Sequence, residues 1–173
     1  AEPVPEDDLV AARQVRAAIR DYIAPTAGVT RAFKDEPRFA GEEQWYTADG
    51  AHGTVVYVHI DDERETRLTV TGSPAVGKQI EYDISIVILY EYVIPDDEAD
   101  PADWVDGLDD LIGALKARLR ADPTMGTGTG GVIWQAAQED GALHIARDLP
   151  KLASGVVRSW NVLQFKASEM LTG

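Results

Sequence analysis

The sequence predicts an α+β fold, a predominantly antiparallel sheet with two main helices packed on it. Three observations carry this expectation. Two segments place apolar residues on a single helical arc, residues 82–94 put an apolar side chain at every second position, and the remaining alternating runs pair off as hairpins. At 173 residues the chain has the length of one ordinary domain. A single unit over 1–173 is expected, with a long arm at about 35–53.

The first element runs from about Glu6 to Ile23. Pro5 and the acids Glu6, Asp7 and Asp8 suit the positive end of a helix dipole, and Leu9, Ala12, Val15, Ile19, Tyr22 and Ile23 share one arc. Arg13, Arg16 and Arg20 form a basic stripe beside that arc, and Pro25 and Gly28 end the helix. A short strand over Val29–Lys34 leads into the polar stretch Asp35–Gly53, a connection long enough to act as an arm or lid. Thr54–Ile60 then alternates, with Val56, Val58 and Ile60 on one face. The acidic segment DDERE is expected to be the tip of a hairpin whose second strand is Thr66–Thr71.

The strongest periodic signal comes from Tyr82, Ile84, Ile86, Ile88, Tyr90, Tyr92 and Ile94. A strand of this length measures roughly 43 Å at about 3.3 Å per residue, so one end is expected to project toward a neighbour. Val87, Leu89 and Val93 on its reverse face make it a central strand. The second helix is expected to take Asp100 as N-cap and Pro101 as its first helical residue. Trp104, Val105, Leu108, Leu111, Ile112, Leu115 and Leu119 form its apolar arc, which is expected to pack on Ile84, Ile86 and Ile88. Asp103, Asp106, Asp109 and Asp110 lie opposite, and Lys116, Arg118 and Arg120 close the C-terminal end, matching the helix dipole. The segment DPTMGTGTGG ends the helix. Val132–Gln138 follows and turns at Asp140-Gly141 into Ala142–Asp148. In the last strand, Val156–Lys166, the apolar residues shift from Trp160 and Val162 to Leu163 and Phe165, as at a bulge.

Composition narrows the function. The 30 acidic and 16 basic residues give a net charge of −14, which repels a phosphate backbone, so specific nucleic-acid binding is not expected. The longest apolar run, Ile84–Tyr90, falls far short of the roughly 20 residues that span a bilayer, and the N-terminus carries no recognisable targeting signal. The chain has no cysteine, hence no disulfide, thiolate nucleophile or cysteine zinc site. His52, His59 and His144 follow no metal-binding spacing, and the last two read as exposed strand histidines. Gly126–Gly131 follows a helix and precedes a strand, the reverse of the order in a phosphate loop. No serine stands in a nucleophile context. An enzyme, a cofactor and a metal are therefore not expected. Charge placement instead nominates a contact between copies: Arg13, Arg16 and Arg20 of one against Asp96, Asp97 and Glu98 of the next.

The order of elements resembles the tail terminator proteins of long-tailed bacteriophages. The segments that carry the resemblance are VRAAIRDYIAPTAGVTRAFKDEPRF, IEYDISIVILYEYVIP, DWVDGLDDLIGALKARLRADPTMGTGTGG and SWNVLQFKASEML, spread over nearly the whole chain. The resemblance implies helices on one side of a sheet and assembly as a hexameric ring that caps the tail tube, stops its elongation and joins it to the head. It also implies the partners: further copies of the chain, the tail tube protein and a head completion or connector protein, with DNA passing through the lumen. The place implied is the head-proximal end of the virion tail, after assembly in the host cytoplasm, and no catalytic residue is implied. A head-to-tail connector of related fold fits the same pattern, and a soluble non-viral protein-binding domain is the alternative outside phage.

Overall fold

Two helices lie on one face of a seven-stranded sheet in the computed structural model, which describes residues 11–37, 47–48, 51–69, 76–96, 102–126, 133–134 and 143–172. The elements are α1 (Ala11–Ile23), β1 (Arg31–Phe33), β2 (Thr47–Ala48), β3 (Ala51–His52), β4 (Val55–Thr69), β5 (Val76–Val93), α2 (Asp103–Ala121), β6 (Ile133–Trp134), β7 (His144–Arg147), β8 (Lys151–Ala153) and β9 (Val156–Thr172). The main sheet runs β1-β4-β5-β9, and β6, β7 and β8 all pair along the outer edge of β9. Among the described residues only the β1–β4 pair is parallel, and β2 and β3 form a small ladder of their own. The expected α+β class is the class found.

The segment DDERE does not turn. β4 continues through it to Thr69, because β5 begins at Val76, ahead of the expected Tyr82, and so offers a partner to every residue of that acidic segment but one. The exception is Asp61, the extra residue of a bulge that lies between the Ile60↔Ile84 and Asp62↔Asp83 pairs. The bulge expected in β9 is absent, since seventeen consecutive pairs join it to β5 without a shift. Its two apolar sets belong to two covered faces: Leu163 and Phe165 join the cluster beneath the helices, while Val162 packs on the reverse cluster. α2 starts two residues later than expected, with Ala102 at the cap and no side-chain cap bond. Asp103 and Asp106 in its first turn supply negative charge at the dipole's positive end instead. Asp100, Pro101, Glu6–Val10, the Asp140-Gly141 turn and most of the strand expected over Val132–Gln138 lie outside the described residues.

The core forms where the periodicity places it. Ile84, Ile86 and Ile88 of β5 pack in one cluster with Leu108, Leu111, Ile112 and Leu115 of α2 and with Val15, Ile19 and Ile23 of α1. Each such side chain contributes about 1.5–3 kcal/mol by leaving water. The C-terminal ends of the helices are tied to each other. The Tyr22 hydroxyl donates to the Arg118 carbonyl at 2.6 Å, Arg118 Nε donates to the Tyr22 carbonyl at 2.8 Å, and the guanidinium lies 4.4 Å from the centre of the Tyr22 ring. Each side chain thus satisfies a carbonyl in the other helix's last turn, which has no partner within its own helix. Beyond α2, the Asp122 carboxylate accepts the Thr124 N–H, the Thr124 hydroxyl and the Gly126 N–H, which holds its pKa below the usual carboxylate range. This turn carries Met125, at a left-handed φ of 50°, into the core.

Two glycines of α2 give opposite expectations. A Cβ at Gly107 would stand 2.5 Å from the Tyr90 hydroxyl, which is itself bonded to the Trp104 carbonyl at 3.1 Å, whereas a Cβ at Gly113 meets nothing within 4 Å. Gly113→Ala should therefore raise stability by about 0.8–1 kcal/mol through helix propensity, and Gly107→Ala should lower it despite the same gain. Denaturant melts of the two variants check the difference in sign. Ile86→Asp should cost several kcal/mol, since it sets an unpaired charge under both helices. A folded Ile86→Asp protein with an unchanged melting temperature would exclude this packing.

Candidate functional site

The helices occupy the face that carries Val56, Val58, Ile84, Ile86 and Ile88, so any exposed site on the sheet falls on the reverse face, at an edge or at an end. On the reverse face Val55, Tyr57, Val87 and Leu89 form a second, smaller apolar cluster, with Phe33 and Val162 against it. Tyr57 and Trp160 meet edge to face at 6.5 Å and 82°, and the Arg31 guanidinium lies 4.8 Å from the centre of the Phe33 ring. At the margin of this cluster Glu91, its side chain buried, accepts from Arg158 Nε on the neighbouring strand at 2.9 Å.

Next to the cluster the reverse face opens into a groove of about 650 Å³, floored by Tyr57, Val87 and Val162 and walled by Asp35, Glu36, His59 and Asp61. A second hollow of about 340 Å³ shares Asp61 and Gln164 with it and reaches His144 and Lys166. Asp35 comes from the segment after β1. Its carboxylate accepts the Glu36 N–H at 2.8 Å and lies 3.2 Å from His59 Nδ1 and 3.7 Å from the Arg16 guanidinium. Burial alone pushes this carboxyl up, but the Glu36 N–H, His59 and Arg16 together outweigh it and hold the group below its ordinary value. Asp61, the bulge residue, accepts the Ser85 hydroxyl and stands 3.9 Å from His59 Nε2. One imidazole is thus set between two carboxylates. Burial, and then Glu36 and Asp35, push the Tyr57 hydroxyl up to about 12, so it stays a proton donor at neutral pH.

The Ser85 hydroxyl donates to Asp61 and not to His59, so the groove pairs its serine with a carboxylate rather than with an imidazole base. These contacts fasten the chain after β1 to the bulge of β4 and present a polar, acid-walled hollow. Among the described residues, no group of three or more His, Asp or Glu side chains is placed to hold a metal ion. His59 and His144 are exposed strand histidines, as expected.

The nominated contact residues are distributed differently. Arg13 is exposed on α1, Arg20 Nε is hydrogen-bonded to the neighbouring Asp21 at 2.8 Å, and Arg16 turns to Asp35 with its Nε buried and without a partner. Asp96 is exposed just beyond β5, and Asp97 and Glu98 lie outside the described residues. No ion pair joins Asp96 to the stripe among the described residues. Sequence reasoning missed the groove, because Asp35, His59, Asp61 and Ser85 converge only through the parallel β1–β4 register and the bulge.

The two ends of the sheet differ in chemistry. Toward the β4–β5 connection Asp62, Glu63, Arg64, Glu65 and Arg67 are exposed. Arg64 reaches Asp62 at 3.1 Å and Asp83 at 3.9 Å, and Lys78 reaches Glu65 at 3.4 Å. At the opposite end stand Val93, Leu149, Leu152 and Trp160, 46%, 84%, 67% and 38% exposed. The ladder brings them to that end: Val93 pairs with Val156, Leu152 pairs with Val157, and the Asp148 N–H donates to the Trp160 carbonyl. No protein-family model matches this chain, and none of the curated proteins matches it in sequence.

Asp35 gives a pH expectation of definite sign. Its pKa is lowered on folding, so its contribution is present above about pH 4 and is lost as the pH falls through the folded value. Asp35→Asn should therefore destabilise at neutral pH, and its deficit against the parent should shrink in acid. Thermal melts of the two proteins between about pH 2.5 and 7 measure this. A deficit that stays constant across the series would mean that Asp35 is not held as a carboxylate by these partners.

Proposed function

We propose that this chain is a structural subunit of a long-tailed phage virion, a tail terminator that assembles as a ring, caps the tail tube, stops its elongation and joins it to the head. The observation that carries the reading is the two-ended sheet. A joining subunit needs chemically distinct surfaces toward its two partners, and a charged end and an apolar end, separated by a ladder of seventeen residue pairs, supply them. At about 3.3 Å per residue the ladder spans roughly 55 Å, a rigid spacer for a protein of 18.8 kDa. The groove agrees with the same reading, since Asp35, His59, Asp61 and Ser85 in it fasten the chain after β1 to β4 and β5.

Lateral closure of the ring then draws on Arg13, Arg16 and Arg20 against Asp96, Asp97 and Glu98 of the next copy, with Arg16 and Arg20 also meeting Asp35 and Asp21 inside their own subunit. The surplus of acid suits a lumen wall past which DNA must slide without adhering. A head completion or connector protein makes the same use of two unlike ends and is the alternative.

Electron microscopy of the chain mixed with purified tail tubes tests the reading, with solution mass measured alongside. Rings of six subunits seated on tube ends are expected, with assembly weakening as salt rises and circular dichroism unchanged. Exposed ion pairs contribute about 0.2–1 kcal/mol each, so Arg13→Glu with Arg20→Glu should weaken ring closure by roughly tenfold while the fold is retained. A strict monomer that leaves tube ends bare at every salt concentration sinks the reading.

A further inference from the structure

The groove on the reverse face has the make-up of a binding cleft. Its floor is apolar, its walls come from β4 and from the segment after β1, and its volume of about 650 Å³ lies within the range of ligand clefts. Charge on the walls is mainly of one sign. Arg16 offsets part of Asp35, 3.7 Å away, but Glu36 and Asp61 stand on the same walls, and the Asp61 carboxylate accepts from the uncharged Ser85 hydroxyl. A second observation is independent of the acids. Tyr57 is only 6% exposed and lines the groove, and its hydroxyl hydrogen-bonds to none of the described residues. A hydroxyl so placed keeps its donor and acceptor capacity for a ligand. We infer that the groove binds the guanidinium of an arginine side chain presented by a protein partner.

The chemistry of the walls and floor selects this cation. A planar guanidinium carries five N–H donors in a fork and addresses the carboxylates of both walls and the Tyr57 hydroxyl at once, whereas an ammonium is a point charge with three donors. The methylene stem of an arginine lies on Val87 and Val162 while its head meets the acids. The openness of the groove selects the source. The side chains of Asp35, His59 and Asp61 are 45%, 48% and 41% exposed, whereas a site for a free small molecule buries about 70–90% of its ligand. Walls this open suit a side chain whose own protein closes the mouth, and charge complementarity steers a basic surface toward a chain of net charge −14. The wall and floor residues are not those assigned to ring closure or to the two ends of the sheet, so the groove stays available in the proposed ring.

The test follows backbone amide shifts of the isotope-labelled full chain by NMR as acetyl-Gly-Arg-Gly-amide is added at low salt. It uses the chain without tubes, so failure of the phage reading leaves it standing, and the reverse. Saturable shifts are expected at Glu36, His59, Asp61 and Gln164, with the matching lysine peptide and agmatine, a free alkylguanidinium, each bound at least about threefold more weakly. Asp35, His59, Asp61 and Ser85 hold the chain, so the variants are Glu36→Gln and Tyr57→Phe, which leave those contacts in place. Each should weaken the arginine peptide by about three- to tenfold with the melting temperature unchanged. Asp110→Asn removes an exposed charge from α2, on the other face of the sheet, and should leave the affinity as it is. Absence of saturable shifts, or shifts away from the groove, overturns the inference. So does an equal loss in Asp110→Asn and Glu36→Gln, which means attraction by net charge alone. A lysine peptide that binds as well as the arginine peptide overturns the choice of guanidinium, and agmatine that binds as well overturns the protein source.

Discussion

The ladder between β5 and β9 is the constraint on which the rest of the structure depends. Its unbroken register commits every side chain of β5 to one of two faces, and those faces differ completely in what covers them. Ile84, Ile86 and Ile88 meet the helices, and Val87 and Leu89 build the reverse cluster with Val55 and Tyr57. A slip of one residue would exchange the two sets, exposing one and burying Ser85 and Glu91 beneath the helices. With β5 covered on both sides by paired strands and on both faces by apolar contacts, no such slip is affordable. β4 and the short strands along β9 then take their places from this pair.

The parts of the fold legible in the sequence are those where periodicity alone decides. Alternation from Tyr82 to Ile94 and the arc from Leu108 to Leu119 are intrinsic to their segments, and each points to the other as partner. The acidic segment of β4 was illegible for the opposite reason. Asp61–Arg67 is exposed throughout, so it has no buried face to impose alternation, and charged residues on a strand near a sheet edge have the composition of a turn. β9 misleads because both of its faces are apolar over Trp160–Phe165, which in one dimension cannot be told from a change of face. The groove depends on contacts between residues far apart in sequence, Asp35 with His59 and Asp61 with Ser85, and on one inserted residue that no local pattern announces.

That inserted residue also links fold and surface. Before the bulge the odd-numbered residues of β4, Tyr57 and His59, face the groove. After it the even-numbered Asp62 and Arg64 lie on that face of the sheet, opposite Asp83 and Glu81. The change of phase keeps Asp62, Arg64 and Asp83 on one side as an ion-paired set and leaves Glu65 with Lys78 on the other. The charged end of the sheet is therefore patterned by ion pairs on both faces, while at the apolar end the pair Glu91–Arg158 lies beside exposed apolar side chains. Such exposed apolar residues contribute little to the fold of a single copy, so they are most simply understood through what meets them.

The reciprocal bonds between Tyr22 and Arg118 have a consequence for the order in which the molecule opens. Helix ends ordinarily fray one residue at a time, each independently of its neighbours. Here the last turn of α1 is held by a side chain of α2, and the last turn of α2 by a side chain of α1. Neither can unwind without releasing the other, so the two termini form one cooperative unit. Their amides should accordingly exchange with solvent deuterium together, at a common rate set by separation of the helices rather than by local breathing of either one.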